Sequence, residues 1–281
     1  MYIYRLGCVK LLMILFLQLT VFINVTASEQ LRIGGSGADL ATMRLLTTAF
    51  AKHHEGLQVV IPPSLGSRGG LQALMSGALD LALISRKLKE DEIQANIKFF
   101  QYARTPLVFA TSKSTLSNNI TSNEVNNIYS GAHPYWPDGN IARPVLRLRG
   151  DSDTLLLKKY VPGFSNTIEK ALKRRGVPVA SSDQDNVQRI ESIPGAIGTS
   201  TLSVILSENR NLKALAFNGV VPSVESITSG QYIMAKEMYF VLPEKVLPVV
   251  TDFLKFLQSS EARIIFEQTG HQVIQFNFTG Q

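Results

Sequence analysis

The sequence has little from which a metal site or a disulfide could be built. It contains one cysteine, Cys8, which can form no disulfide within the chain. Its four histidines show no HExxH or comparable spacing around His133 or His271. Lysine and arginine are not interleaved with aromatic residues, so the net charge of +6 does not indicate a nucleic-acid surface. We therefore expect no cofactor, no metal and no nucleic-acid partner, and a fold stabilised by an apolar core.

Long apolar runs are also scarce, and the one that is present lies at the N-terminus. Arg5 and Lys10 precede an apolar stretch over 11–25, which leads through small residues to Ala27. This order is typical of a secretory signal peptide, and we predict cleavage after Ala27, so residues 1–27 are absent from the mature protein. The stretch is shorter than the roughly 20 apolar residues of a membrane span, although an uncleaved anchor is the alternative. Cys8 precedes the stretch, whereas a lipid-modified cysteine would follow it. We expect a soluble protein in the periplasm or outside the cell.

Beyond residue 30, short apolar runs alternate with segments of helical periodicity. The runs 31–33, 57–61 and 81–84 each end in small polar residues. The segments after the first two runs place apolar side chains three or four residues apart, as at Leu40 and Met43. This repetition predicts an α/β fold with mainly parallel sheets flanked by helices.

Two long strand-like segments, 99–111 and 232–242, bracket the middle of the chain. The simplest topology passes through them into a second lobe and back. We predict one lobe from 28–108 and 234–281, another from 109–233, and a monomer that closes over its ligand by hinge motion.

Three successive strand ends carry small polar residues, at Ser36, Ser64–Arg68 and Ser85. In open parallel sheets the ligand crevice lies beyond the carboxyl ends of the strands. The unpaired N–H groups at a helix N-terminus favour anions. Each turn by itself is equally explained as a helix cap, but together they predict an anion-binding edge.

Six segments support a resemblance to a known family. They are GSGA at 35–38, GSRGG at 66–70, DLALISRKL at 80–88, the segment 123–139 ending in YWPDG, PGAIG at 194–198 and LKALAFNG at 212–219. In this order they resemble segments of the phosphate-binding proteins of bacterial phosphate-uptake ABC transporters, members of the type II periplasmic solute-binding superfamily. The resemblance covers essentially the whole mature chain. It implies a two-lobed, non-enzymatic protein that captures phosphate or a close oxyanion and delivers it to a membrane permease.

The resemblance and the strand ends together give a set of candidate ligand residues. They are Ser36, Gly37, Ala38, Asp39, Ser67, Arg68, Ser85, Arg149, Ser152, Asp153 and Thr154. Hydroxyl and backbone N–H groups would donate to the anion, and Arg149 would add the planar fork that suits an oxyanion. The fourth loop departs from the family, because Asp153 stands where glycine is expected. A phosphonate or phosphate ester is therefore an alternative ligand.

Selectivity for phosphate requires a carboxylate. Phosphate near neutral pH keeps a proton to donate, whereas sulfate would meet the carboxylate as a like charge. Asp39, Asp151 and Asp153 are the candidates, and each also suits the first turn of a helix.

Two other functional classes remain open. A sensor would keep the lobes and signal to a receptor. A secreted phosphoester hydrolase would use Ser36 as nucleophile, but GGSGA at 34–38 lacks the final glycine of a nucleophile elbow and no histidine has an identifiable partner.

Overall fold

The computed structural model describes residues 29–93 and 96–276. The predicted signal peptide lies outside these residues. Among the helices of the described ranges, none combines the length and hydrophobicity that crossing a bilayer requires.

Strands and helices alternate along most of the described chain. The strands are β1 Gln30–Gly35, β2 Gln58–Val60, β3 Leu81–Ile84, β4 Ile97–Ser112, β5 Asn119–Ile120, β6 Arg143–Pro144, β7 Leu146–Arg147, β8 Val179–Ala180, β9 Ala196–Thr201, β10 Leu212–Ala214, β11 Ala216–Phe217, β12 Ala235–Pro243 and β13 Gln272–Val273. The helices are α1 Gly37–Ala51, α2 Gly66–Met75, α3 Ser122–Ser130, α4 Ser152–Tyr160, α5 Phe164–Lys173, α6 Asp183–Ser192, α7 Leu202–Ser207, α8 Val224–Thr228, α9 Pro248–Phe256 and α10 Ser260–Gln268, with a 3-10 turn at Glu90–Glu92.

The main sheet has nine strands, in the order β2-β1-β3-β12-β4-β9-β6, with β10 and β13 also paired to β4. Strand β1 is parallel to β2 and β3, and β6 is parallel to β9. The two long central strands pair antiparallel with each other and with their other neighbours. The α/β prediction is confirmed, with parallel pairing in the outer parts of the sheet and antiparallel pairing where the chain passes between its halves.

Strand β4 joins the two halves of the sheet. Nine of its first ten residues pair with β12, with a bulge at Tyr102, and this pairing ends at Pro106 opposite Ala235. Its next residues pair with β9, beginning at Leu107 opposite Thr201. The long strands predicted near 99–111 and 232–242 correspond to β4 and β12, and β4 changes partner between Pro106 and Leu107.

Separate apolar cores lie on the two sides of this change of partner. One core is built from residues between 31 and 103 and between 238 and 276, with Phe50, Phe240 and Phe253 among its largest members. The next is built from residues between 107 and 234, and it includes Phe109 and Trp136. These cores define lobe 1 and lobe 2. The exact lobe boundaries, 28–108 with 234–281 and 109–233, stay a prediction.

Helix α2 lies against the end of β1 at two glycines. A Cβ on Gly70 would lie 2.6 Å from the Cα of Gly35, and a Cβ on Gly35, whose φ is +133°, would lie 2.2 Å from the carbonyl oxygen of Leu83. Backbone atoms cannot move aside as a flexible side chain can. The absence of side chains here therefore lets the N-termini of α1 and α2 approach each other.

We expect Gly70→Ala to lower the free energy of unfolding by about 1–3 kcal/mol, the usual cost of overpacking. The matched control is Gly69→Ala in the same helix, where the new Cβ would meet the Cβ of the half-exposed Leu65 at 3.1 Å. That residue can shift, and alanine gains about 1 kcal/mol of helix propensity over glycine. Urea unfolding of both variants measures the difference, and equal losses would contradict the close backbone contact at Gly70.

Candidate oxyanion-binding cleft

A cleft of about 390 Å³ lies between the two lobes. Its walls are Ser36, Ser64, Leu65, Gly66, Ser67, Arg68, Ser85, Arg86 and Lys89 from lobe 1, and Arg147, Leu148, Gly150, Asp151, Ser152, Ser181, Ser182 and Asp183 from lobe 2. These residues follow the carboxyl ends of β1, β2, β3, β7 and β8. The cleft therefore lies beyond the carboxyl ends of these strands, which is where the sequence predicts an anion-binding edge.

Four serine hydroxyls converge in this cleft. The Ser36 hydroxyl donates to Ser85 Oγ at 3.0 Å, and Ser85 Oγ lies 3.4 Å from Ser67 Oγ. From lobe 2, Ser152 Oγ lies 3.4 Å from Ser85 Oγ. Hydroxyls rotate freely between donating and accepting, so this group can turn several O–H donors toward one anion.

Helix N-termini reinforce the preference for an anion. Ser36 caps α1 by accepting from the N–H of Ala38, and Ser182 caps α6 by accepting from the N–H of Asp185. Ser67 lies in the first turn of α2, and α4 begins at Ser152. The partial positive charges of four helix ends therefore face the cleft.

Arg147 supplies the buried positive charge of the cleft. Its side chain is 5% exposed, and Nη2 lies 2.7 Å from Asp151 Oδ2 and 3.8 Å from Asp183 Oδ1. Burial alone would lower its pKa, but the nearby carboxylates of Asp183 and Asp151 outweigh that effect and hold the pKa above its ordinary value. Its Nε and Nη1 atoms are buried without a hydrogen-bond partner among the described residues. Two N–H groups of a charged guanidinium are therefore left unsatisfied by the described residues.

A second buried ion pair lies behind the cleft. Lys236 Nζ on β12 is 2.5 Å from Asp153 Oδ1 on α4, and both side chains are at most 2% exposed. Thr199 also donates to the Asp153 carboxylate, at 2.8 Å. Burial opposes ionisation of Asp153, yet Lys236 and Arg147 attract its charge and keep its pKa below the usual value. Asp153 is thus a fully engaged carboxylate and not part of the cleft wall.

The predicted site residues fall into three groups. Those that line the cleft are Ser36, Ser67, Arg68, Ser85 and Ser152. Those buried outside its wall are Gly37, Ala38, Asp39, Asp153 and Thr154. Gly37 lies at the contact between the lobes. A Cβ at this position would lie 2.5 Å from Gln184 Oε1 of lobe 2. The lack of a side chain at Gly37 allows the lobes to meet.

Arg149 is the predicted residue that the structure places elsewhere. Its side chain is 65% exposed and donates to Glu169 at 2.6 Å, outside the cleft. The segment 145–149 predicts a strand through Arg149. The observed β7 covers only Leu146–Arg147, and in the turn that follows it the N–H of Asp151 donates to the carbonyl of Leu148. The turn directs Arg149 outward, and Arg147 takes the place expected for it.

Two carboxylates line the cleft, Asp151 and Asp183. Asp151 caps α4 by accepting from the N–H of Asp153 at 2.9 Å. Burial and the neighbouring charge of Asp153 raise its pKa, while Arg147 acts in the opposite direction. Asp39 is fully buried, with Oδ1 3.6 Å from His271 Nε2. Of the three carboxylates considered from the sequence, Asp151 alone faces the cleft.

Sequence reasoning missed Arg147, Asp183 and the serines Ser181 and Ser182. The last three follow β8, a two-residue strand too short to predict. The segment 183–192 predicts a helix, which is present as α6 at the same bounds, and the serine that caps it was the signal that could have marked this loop. In the described part of the chain, no group of three or more His, Cys, Asp and Glu side chains is arranged to hold a metal ion.

The family model described as a PBP superfamily domain matches residues 23–261. The chain therefore belongs to the PBP superfamily, the class of two-lobed periplasmic binding proteins to which its strand order and cleft correspond.

Within that class, the chain is similar to proteins named for phosphate. It is 26% identical over 249 residues to the phosphate-binding protein PstS of Borreliella burgdorferi, covering 85% of this chain and 88% of that protein. It is 27% identical over 232 residues to protein SphX of Synechococcus elongatus, covering 75% and 67%. A Clostridium perfringens protein solved with bound phosphate superposes with a TM-score of 0.75 at 19% identity, covering 88% and 100%. The periplasmic molybdate-binding protein of Azotobacter vinelandii superposes with a TM-score of 0.60 at 17% identity, covering 87% and 100%.

We expect Lys236→Met to lower the free energy of unfolding by about 3–5 kcal/mol, because it leaves Asp153 charged and buried without its partner. Replacing both members, with Lys236→Met and Asp153→Leu, should recover most of that loss.

The matched control is the exposed pair Lys255 and Asp252, whose side chains are 70% and 50% exposed. Lys255→Met should change stability by less than about 1 kcal/mol, because exposed ion pairs contribute little. Thermal or urea unfolding of the variants measures these differences. A Lys236→Met protein as stable as wild type would contradict the buried pair.

Proposed function

We propose that this protein captures phosphate or a close oxyanion between its lobes and delivers it to the membrane permease of an ABC transporter. The observation that carries the proposal is the buried guanidinium of Arg147 in the wall of a cleft of serine hydroxyls and helix N-termini, whose Nε and Nη1 have no hydrogen-bond partner among the described residues.

An oxyanion matches this donor set in charge. The Nε and Nη1 groups of Arg147 lie on different sides of the guanidinium, so each would donate a single charge-assisted hydrogen bond. A buried donor left without a partner costs roughly 1–3 kcal/mol, which an oxyanion oxygen would recover. Each hydrogen bond to the charged ligand adds about 1.5–3 kcal/mol. The serines Ser36, Ser67, Ser85 and Ser152 complete the donor set.

Asp151 favours phosphate over sulfate. Its carboxylate lines the cleft beside Arg147. A protonated phosphate oxygen can donate to it, whereas sulfate would leave two like charges facing each other. The relatives that are named phosphate-binding protein PstS support phosphate as the ligand that we propose for this chain.

The transport role, the monomeric state, the extracytoplasmic location and the cleavage after Ala27 belong to the same proposal. Membership of the PBP superfamily and relatives named phosphate-binding protein support the transport role and the extracytoplasmic location. The monomeric state and the cleavage after Ala27 rest on the sequence alone. Binding without catalysis is proposed because the Ser36 hydroxyl donates to Ser85, and no histidine in 29–93 or 96–276 is hydrogen-bonded to a cleft serine. A hydrolase would instead turn over a chromogenic phosphate ester.

Calorimetry of the protein lacking residues 1–27 should show one phosphate bound per chain. We expect Arg147→Gln to weaken phosphate binding about a hundredfold or more, because two charge-assisted hydrogen bonds are lost. Arg149→Gln is the matched control, since its side chain is exposed and bonded to Glu169. It should change the affinity less than about threefold. The opposite ranking, or no oxyanion binding at micromolar concentrations, would refute the proposed site.

We expect Asp151→Asn to reduce the preference for phosphate over sulfate by about tenfold or more, because the like charge facing sulfate is removed. Asparagine caps helices as well as aspartate does, so α4 should keep its start. Competition calorimetry with both anions measures the ratio, and the exposed Asp252→Asn serves as control. An unchanged ratio in Asp151→Asn would show that another group selects the ligand.

A further inference from the structure

The two lobes meet directly at the start of helix α1, beside the cleft. Gln184, the second residue of α6 in lobe 2, donates through Nε2 to the carbonyl oxygen of Gly37 at 2.9 Å. Gly37 follows Ser36, which lines the cleft, and Gln184 follows Asp183, which lines the opposite wall. The bond therefore joins the two walls of the cleft, although Gln184 itself is part of neither wall.

The amide of Gln184 is oriented by a second acceptor. Its Nε2 also donates to Glu208 Oε1 at 2.8 Å. A carbonyl and a carboxylate only accept hydrogen bonds, so the nitrogen of the amide must face both of them. Glu208 is held in turn by Arg210, whose Nε donates to Glu208 Oε2 at 2.8 Å. Lobe 2 thus holds the Gln184 side chain in place, which reduces the side-chain entropy lost when the lobes meet.

Gly37 leaves room for lobe 2 at this contact. A Cβ on Gly37 would lie 2.5 Å from Gln184 Oε1 and 2.8 Å from Asp183 Oδ2. Both oxygens belong to lobe 2, and a third atom, Ser64 Oγ of lobe 1, would lie at 2.9 Å. A side chain at position 37 would therefore press against lobe 2 as well as against its own lobe, and it would keep the lobes from closing.

A second hydrogen bond between the lobes lies at the pivot. Ser203 Oγ donates to the carbonyl of Ala38 at 3.2 Å, and the N–H of Ser203 donates to Thr105 Oγ1 at 3.3 Å. Thr105 lies on β4, one residue before the end of its pairing with β12 at Pro106. Ser203 is therefore attached to the hinge strand itself. Gln184 has its other hydrogen bond within lobe 2, so its bond to lobe 1 must break when the lobes separate.

We propose that Gln184 is a positioning residue that latches lobe 2 onto Gly37 and thereby slows the opening of the cleft. The bond exists only while the lobes are together, so it raises the population of the closed form relative to the open form. One net hydrogen bond corresponds to about a two- to tenfold change in an equilibrium constant. The effect on ligand release rests on the proposed function, because an anion held between the lobes leaves only after they open.

Lobe opening can be measured without any ligand. The protein lacking residues 1–27 contains no cysteine, so Ser76→Cys in lobe 1 and Ser165→Cys in lobe 2, both at exposed positions, allow a single pair of spin labels. Gln184→Ala should raise the population outside the main wild-type distance about two- to tenfold. The matched control is Gln188→Ala, because Gln188 is exposed one turn later on the same helix. It should leave the distribution of distances unchanged.

Release of phosphate, measured by stopped-flow, tests the consequence for the ligand. Gln184→Ala should raise the dissociation rate constant about two- to tenfold, whereas Gln188→Ala should leave it unchanged. Gly37→Ala should also raise the rate constant, since its Cβ acts on the same contact. The two changes together should therefore raise it by less than the product of their separate effects. A merely structural role for Gln184 would lower the melting temperature without changing the dissociation rate.

The two measurements separate the latch from the proposed function. If wild-type protein binds phosphate and Gln184→Ala changes only one of the two measurements or neither, the latch is wrong. Equal effects of Gln184→Ala and Gln188→Ala would also overturn it. If the label distances respond to Gln184→Ala but wild-type protein binds no phosphate, the latch stands and the proposed function fails.

Discussion

The buried ion pair between Lys236 and Asp153 is the constraint on which the site depends. Lys236 lies on β12, one of the two strands that cross between the lobes, and Asp153 lies in the first turn of α4. Two charges this deeply buried are stabilised only while they remain together. The pair therefore fixes the start of α4 against the hinge strands. Ser152 precedes Asp153, so the same ion pair also holds Ser152 in the wall of the cleft.

This pair also determines the charge that the cleft presents. Asp183 lies 3.7 Å from Lys236 Nζ and 3.8 Å from Arg147 Nη2, so it is shared between the two cations. Nη2 of Arg147 donates to a carboxylate, whereas Nε and Nη1 have no hydrogen-bond partner among the described residues. The network of acids keeps the guanidinium charged in spite of burial, and its two unpartnered N–H groups are the donors that we propose for an oxyanion. A similar arginine on the surface would be hydrated and weakly selective.

Contacts between the lobes place the helix N-termini around this charge. Gln184 of α6 donates to the carbonyl of Gly37 at 2.9 Å, and Ser203 of α7 donates to the carbonyl of Ala38 at 3.2 Å. Both acceptors belong to the first turn of α1. The close approach is possible because Gly37 has no Cβ. The proposed oxyanion site is thus a property of the joined lobes, since neither lobe alone carries both Arg147 and the serines of lobe 1.

Much of the fold and part of the site could be predicted from the sequence. Local rules are sufficient for helix α6 and for the two long strands, because these depend on neighbouring residues and on hydrophobic periodicity. Ser36, Ser67 and Ser85 were predicted because the carboxyl ends of parallel strands meet at one edge.

Tertiary structure alone decided which arginine enters the cleft and which carboxylates are free. Arg147 and Arg149 are two residues apart in one apolar segment, and only the turn after β7 directs one inward and the other to Glu169. Asp153 and Lys236 are 83 residues apart, so no local pattern reveals their pairing. The sequence by itself determined the α/β elements, the two long strands and the serines, through local periodicity and turn chemistry. The charges of the site were decided by burial and long-range contacts, because the state of an ionisable group depends on everything that surrounds it in space.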